Sequence, residues 1–272
     1  LSDDSYAETW YEQDANIYAK FMVEKGTYFT LRAAVHDETW KAPDGGADED
    51  FTIERAWMTH DFGTIQVDAG LMTGGAWGTP FGDAAGGKYR VKLTTKLPMG
   101  KLVAFVQKNA EKGFKGAKDA EDDDSDTYAV GLVGKLGAMK FMPLLVYTDM
   151  GDAADATKTS VNVALMGDLG ALGFEAEVDY DAYDMPGDDY NLYGLYFNVW
   201  ANMGNMTLGG LVAYGSTDDD ANAGYSFEDD FETMLILGDN ITPYGGDDLA
   251  GMTAVKLYLN SKLRLKNHLY RW

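Results

Sequence analysis

Lys88-Tyr-Arg-Val-Lys-Leu-Thr-Thr-Lys-Leu97 sets Tyr89, Val91, Leu93 and Leu97 on one side of an extended chain and Lys88, Arg90, Lys92 and Lys96 on the other. A helix would scatter both sets around its circumference, whereas a strand of period two separates them. Ala171–Tyr183 repeats the pattern with opposite charge, placing Leu172, Phe174, Ala176, Val178 and Tyr180 opposite Glu175, Glu177, Asp179 and Asp181. Working outward, the same alternation predicts strands at Ala15–Glu24, Thr27–His36, Phe51–His60, Thr64–Met72, Leu102–Lys108, Thr127–Gly134, Met139–Thr148 and Thr159–Gly167. Leu192–Ala201, Met206–Tyr214, Thr253–Leu259 and Leu263–Tyr270 complete a set of about fourteen, most near the roughly 9–11 residues that a tilted strand needs to cross a bilayer. The uncharged stretch Tyr190–Thr217 is long enough for a transmembrane helix, but five glycines and four asparagines interrupt it. It reads as a hairpin turning at Asn202–Asn205.

The 272 residues include 44 acidic and 22 basic side chains, for a formal charge of −22 and a pI near 4.3. That charge excludes an electrostatic partnership with nucleic acid. With 46% hydrophobic and 13% aromatic residues, the chain is nevertheless too apolar for a disordered acidic tail. The absence of cysteine removes disulfides, zinc fingers, iron–sulfur ligation and thiol catalysis, and His36, His60 and His268 have no ligand spacing. The run Ala120-Glu-Asp-Asp-Asp-Ser-Asp126 offers hard oxygen ligands, but without the glycine and terminal glutamate of a calcium loop it reads as a solvated acidic segment. No Gly-x-Ser-x-Gly or phosphate-cradling motif occurs. No catalytic residues, metal site or cofactor are therefore expected, and an enzyme is the least favoured reading.

The connections carry a second regularity. Short turns (Glu24–Gly26, Asp61–Gly63, Pro98–Gly100, Lys135–Gly137, Asp168–Gly170, Asn202–Asn205 and Asn260–Lys262) alternate with the long, mostly acidic segments 37–50, 73–87, 109–126, 149–158, 184–189 and 216–251. A soluble sandwich has no reason to gather its long, charged loops on one rim, whereas an outer-membrane barrel has short periplasmic turns and long external loops. A soluble antiparallel protein remains the alternative, since a mean hydropathy of −0.28 is compatible with it. Glycine and small residues on the polar faces, and tyrosines at strand ends (Tyr89, Tyr128, Tyr147, Tyr180, Tyr183, Tyr190 and Tyr214), favour the membrane barrel, where such tyrosines form interfacial girdles. The fold class expected is all-β, a transmembrane antiparallel β-barrel in a single domain spanning residues 1–272.

Strand phase sets a further expectation. Ala15–Glu24 leads into a short turn and so descends, while Leu263–Tyr270 follows one and so ascends. If both termini are periplasmic, one strand is missing before Leu1 and another after Trp272, for a total of 16; otherwise Trp272 is the terminal aromatic of a barrel and the count is off by one.

Over essentially its whole length the chain resembles the Gram-negative outer-membrane porins of the 16-stranded type. Phe51-Thr-Ile-Glu-Arg-Ala-Trp-Met-Thr-His-Asp-Phe-Gly63, followed by Thr64-Ile-Gln-Val-Asp-Ala-Gly-Leu-Met72, is similar to a porin hairpin with its Arg-Ala-aromatic strand, Phe-Gly turn and glycine-bearing return strand. The resemblance implies that segment 73–87 is the third external loop, folded into the channel, with Trp77, Pro80, Phe81, Gly82 and Asp83 as constriction residues. Thr79-Pro-Phe-Gly-Asp83 departs from the family tip in that its acid follows the Phe-Gly pair. The resemblance further implies a water-filled channel for ions and small hydrophilic solutes, in the outer membrane of a Gram-negative bacterium. Its partners would be membrane lipid and lipopolysaccharide, with a homotrimer left open.

Selectivity in such a channel comes from bore, lining charge and constricting loops. The candidate basic lining residues are Arg32, Arg55, Lys88, Arg90, Lys92, Lys256, Arg264 and Lys266. The acidic ones are Glu175, Glu177 and Asp179, with Asp68 and Asp83 near the mouth. Strict alternation groups Arg55 with Ile53 and Trp57, whereas the resemblance turns it inward. Taken singly, each charge is most simply a solvated lumen residue, and the information lies in their clustering. Most of Phe174, Val178, Leu93, Val91, Leu257 and Leu265 are expected to face lipid, and Ser216–Gly251 is expected to fold over or into the mouth unless it adds a strand pair. A diffusion channel, a sleeve for partner proteins such as an electron carrier, and an outer-membrane enzyme are the three function classes, in that order.

Overall fold

The computed structural model describes residues 11–40, 52–73, 77–79, 81, 87–110, 124–151, 156–221, 223–225, 251 and 253–261. Twelve strands follow one another as β1 (Tyr11–Glu24), β2 (Thr27–Trp40), β3 (Thr52–Asp61), β4 (Ile65–Thr73), β5 (Gly87–Leu97), β6 (Gly100–Ala110), β7 (Ser125–Leu136), β8 (Met139–Asp149), β9 (Thr157–Leu169), β10 (Leu172–Asp184), β11 (Tyr190–Met203) and β12 (Met206–Gly215). A two-residue pair, β13 (Thr217–Asp218) and β14 (Ala223–Gly224), precedes β15 (Thr253–Ser261). All except β13 and β14 join one 13-stranded antiparallel sheet in chain order, with β15 beside β12. No described helix is long and apolar enough to cross a membrane.

The up-and-down order follows from the turns. Gly137 and Gly170, at φ 65° and 68°, occupy the left-handed conformation that a tight hairpin demands and that a Cβ disfavours. The twelve wall strands that the alternation predicts within the described residues besides β15 all form, as does β15 itself. Leu263–Tyr270, with Arg264, Leu265 and Lys266, lies outside the described residues, as does the apolar run Phe231–Leu237. The small pair β13–β14 forms a separate two-stranded sheet and so does not lengthen the wall.

One face of the sheet is apolar and bare. Val91, Leu93, Val106, Val130, Leu145, Val178, Phe197, Val212 and Val255 are all exposed, and Leu257 is 86% exposed. Apolar area on that scale needs lipid against it, because water would drive it into aggregation. The wall is therefore that of a transmembrane β-barrel, with tyrosines on its lipid face such as Tyr89 and the tilted pair Tyr128 and Tyr147. Two expectations need correction. Tyr183 and Tyr190 are not girdle residues: they share strand phase with Asp179 and Tyr196 and stack on each other inside, at 4.6 Å between centroids. Phe174 keeps the phase of Val178 but is buried.

Curvature is readable from one contact. Thr79 stands six residues beyond the end of β4, a reach of at most ~22 Å. Its backbone N–H nevertheless meets Glu177 on β10, six strands away and about 29 Å distant in a flat sheet. The sheet curls around the segment that follows β4, and the face that segment touches is the inner one.

Candidate functional site

Inner-face residues follow from the register. On β5 they are Lys88, Arg90 and Lys92, paired with Met72, Gly70 and Asp68 of β4, and Lys96, whose backbone N–H donates to the Thr64 carbonyl just before β4. On β10 they are Glu175, Glu177, Asp179 and Asp181. Lys256 falls on the same face, opposite Leu211. Arg32 and Arg55 face one another in the β2–β3 register, and Arg55 is in phase with Thr59 and Asp68. A register shift at Glu54 separates Arg55 from Ile53, which is how a strand that looks strictly alternating turns its arginine inward and leaves Ile53 exposed. Asp68 lies in the half of β4 nearer the short turns, not at the long-loop mouth, because β4 starts only at Ile65.

Several of these charges are brought into pairs. Lys92 reaches Asp68 at 3.2 Å, and the buried Asp68 also accepts from the Thr59 hydroxyl at 2.6 Å and from Gln66. Arg32 pairs with Glu54 at 2.6 Å. Arg90 donates to Gln107 at 2.5 Å and lies over the Phe105 ring, 4.4 Å from its centroid. Lys158, on β9, reaches Asp181 at 2.9 Å. Away from the inner face, the acidic run 120–126 supplies Asp124 and Asp126 as ion-pair partners of Lys108, and among the described residues no group of three or more candidate ligands could hold a metal. His60 accepts or donates a 2.6 Å hydrogen bond with Thr27 beside the short turns.

The centre of the site is the segment Trp77–Phe81. The Trp77 indole donates to the Met142 carbonyl at 3.3 Å on β8 and lies on Gly131 of β7, where any Cβ would collide with its ring. Gly78, at φ 84°, brings the backbone so close to the Glu177 carboxylate that a Cβ there would stand 2.5 Å from Oε2. Thr79 donates its backbone N–H to Glu177, and its hydroxyl accepts from the Phe81 N–H at 3.2 Å. Phe81 is fully buried and stacks on Tyr196 of β11 at 5.5 Å. Of the sequence-derived constriction residues, Trp77 and Phe81 thus lie against the inner wall, while Pro80, Gly82 and Asp83 are outside the described residues.

The acidic wall is organised around this segment. Asn162 donates to both Glu177 and Asp179, and Tyr225 donates its hydroxyl to Asp179 at 2.6 Å. Burial, and after it the Asp179 charge, push the Tyr225 phenol up, so it serves as a donor. Glu175 accepts from Tyr196 at 2.5 Å and from Asn198 at 3.0 Å. Charge-assisted bonds of this kind offset the cost of desolvating the carboxylates. Glu177 is only 1% exposed and Asp179 6%, so both face inward as the alternation predicts but act as anchors for chain segments, not as open lining charges.

Asn162, Tyr196 and Tyr225 have no motif that would single them out in the sequence. The available signal was the row of glycines on polar faces. Gly131 lies under Trp77, Gly194 under Tyr225 and Phe81, Gly173 under Trp200, and Gly209 under Tyr258. Each glycine is the seat of an inward ring.

No protein-family model matches this chain, and no curated protein sequence matches it. Solved structures with a similar fold include OmpT, an outer membrane protein of Vibrio cholerae, at 12% identity and a TM-score of 0.47, with 80% of this chain and 84% of that one covered. The outer membrane channel DcaP of Acinetobacter baumannii aligns at 13% identity and a TM-score of 0.41, covering 77% and 80% of the two chains. An anion-selective porin from Comamonas acidovorans aligns at 14% identity and a TM-score of 0.44, covering 90% and 87%.

Proposed function

We propose that the chain is an outer-membrane porin: a water-filled barrel through which ions and small hydrophilic solutes diffuse passively, performing no bond chemistry itself. The observation that supports this most directly is an inner wall with charged rows on both sides and a chain segment, Trp77–Phe81, pinned across it. A packed apolar interior would have no place for Lys88, Arg90, Lys92 and Lys96 in one row, whereas a hydrated lumen accommodates them at little cost. Short turns on one rim and long acidic connections on the other match the asymmetry of an outer-membrane barrel, with lipid and lipopolysaccharide against the apolar belt.

The test is conductance of the purified protein in a planar bilayer. Discrete, stepwise openings that scale with salt concentration are expected. A correctly folded and inserted protein that carries no current would overturn the channel reading and favour a sleeve filled by a partner protein.

A further inference from the structure

Two segments far apart in the chain meet on the inner wall. Phe81, beyond β4, lies between two rings: Tyr196 of the wall at 5.5 Å and 14° and Tyr225 at 5.6 Å and 20°. Tyr225 does not belong to the wall. It follows β14 in the connection between β12 and β15, and that connection is spliced to β11 at its root. Ser216 donates its N–H to the Tyr193 carbonyl at 2.9 Å and accepts the Tyr193 N–H on its hydroxyl at 2.8 Å, while Tyr225 donates its N–H to the Ser216 carbonyl at 2.9 Å.

The wall is shaped to receive both segments together. A Cβ at Gly194 would stand 2.5 Å from Tyr225 and 2.8 Å from Phe81, and one at Gly215 would stand 2.7 Å from the Tyr225 carbonyl oxygen. The polar anchors are also shared. Thr79 is held by Glu177 and Tyr225 by Asp179, and Asn162 bridges the two carboxylates through one amide group. Phe81 is held between the two rings, and both it and Tyr225 rest on Gly194.

We infer that Tyr225 is a positioning residue that locks the segment Trp77–Phe81 against β10 and β11, so that the constriction is built by two connections instead of one. The pore consequence of this inference rests on the channel reading above; the lock itself does not. The Tyr225 ring stacks on Phe81, its hydroxyl ties it to Asp179, and the small β13–β14 hairpin sets the ring's position.

The experiment compares the wild-type protein with Tyr225→Ala and Tyr225→Phe, each folded in detergent and checked for the heat-modifiable mobility of an intact barrel. Hydrogen exchange is followed at the Thr79 and Phe81 amides and, as an internal reference, along β7 and β8. In Tyr225→Ala, exchange at Thr79 and Phe81 should rise about tenfold or more, the change expected when an anchoring contact of this strength is lost, with β7 and β8 unchanged. Tyr225→Phe, which keeps the stacked ring, should stay closer to wild type than the alanine variant does. Unchanged Thr79 exchange in a folded Tyr225→Ala would overturn the lock, as would an equal rise along β7 and β8, which would mark general loosening. If the alanine variant does not assemble, Tyr225→Leu, with bulk but neither ring nor hydroxyl, gives the same reading. In bilayers, Tyr225→Ala should show larger and noisier single-channel conductance. A silent wild type would remove the channel reading while leaving the exchange result to decide the lock.

Discussion

The backbone N–H of Thr79 donates to the side chain of Glu177, 98 residues further along the chain. Everything else at the site is arranged so that this bond can form. Gly78 gives the backbone a left-handed turn and an unobstructed approach to the carboxylate, Asn162 satisfies the second oxygen, and Trp77 and Phe81 flank the contact as apolar pegs. The buried carboxylate exists to hold a loop, and its removal should release that loop.

Glu177→Ala therefore should leave the Thr79 N–H without an acceptor at a buried position, and one of the two Asn162 amide hydrogens as well, the other keeping Asp179. Each unsatisfied group costs about 1–3 kcal/mol, more than the local contacts of five residues readily replace. The expected outcome is a folded barrel whose Trp77–Phe81 segment is detached, seen as higher single-channel conductance and faster exchange at Thr79. Glu177→Gln should fall between the two, since it keeps one acceptor but turns an N–H toward a donor. A conductance identical to wild type in the alanine variant would show that the segment does not constrict the pore.

Gly131→Val tests the other end of the same segment. Valine suits a strand, so its cost lies in the collision of its side chain with the Trp77 ring rather than in backbone propensity. The indole should be displaced, its bond to the Met142 carbonyl lost, and the residue made accessible to aqueous quenchers in a variant with the other tryptophans replaced. Protection of Trp77 equal to that in the parent would mean that the wall adjusts around the valine.

The two faces of the wall should respond differently to charge. Val91 lies mid-strand on the bare outer face, while Thr94, three residues on, faces inward opposite Gln66. Arginine at Val91 must enter hydrocarbon and should cost about 2–4 kcal/mol of barrel stability, whereas arginine at Thr94 meets water and should cost much less. Urea-dependent unfolding of the two variants in lipid vesicles gives the comparison. Equal costs would contradict the assignment of the outer face to lipid.

The wall was legible in the sequence because its signal is local: Lys88–Leu97 states its own period, and each of the six short turns between β1 and β12 carries a glycine with positive φ. Arg55 shows the limit of that reading. The shift at Glu54 that turns it inward depends on pairing with β2, and nothing in Phe51–Gly63 alone marks the extra residue. The acids of β10 show a second limit. Alternation places Glu177 and Asp179 inside, but whether they line water or hold chain depends on partners dozens of residues distant: Thr79 for one and Tyr225 for the other. Such contacts are set by the curvature of the finished wall, which no segment encodes by itself. Tyr183 and Tyr190 fall outside the girdle for a simpler reason, since nearness to a strand end does not determine the face, whereas phase does.

Ion preference follows from the same redistribution of charge. Most of the 44 acidic side chains lie in the long connections at one rim, where they should concentrate cations at the entrance. Rim charges stand in water and are screened beyond roughly 8 Å at physiological salt, while charges on the inner wall are screened less. On that wall Glu177 and Asp179 are covered at 1% and 6% exposure, Glu175 is engaged by Tyr196 and Asn198, and Asp181 is paired with Lys158. Across from them, Lys88 and Lys96 are exposed and Arg90 and Lys92 half-buried. The channel should therefore favour cations modestly at low salt, and as salt rises that preference should weaken and give way to the basic strand instead of settling at a balance of the two walls. Lys88→Glu should hold the cation preference into high salt, and the reversal potential across a salt gradient measures both effects. Strong anion selectivity already at low salt would mean that the basic strand governs the pore from the start and that the acidic rim stands too far from the constriction to matter.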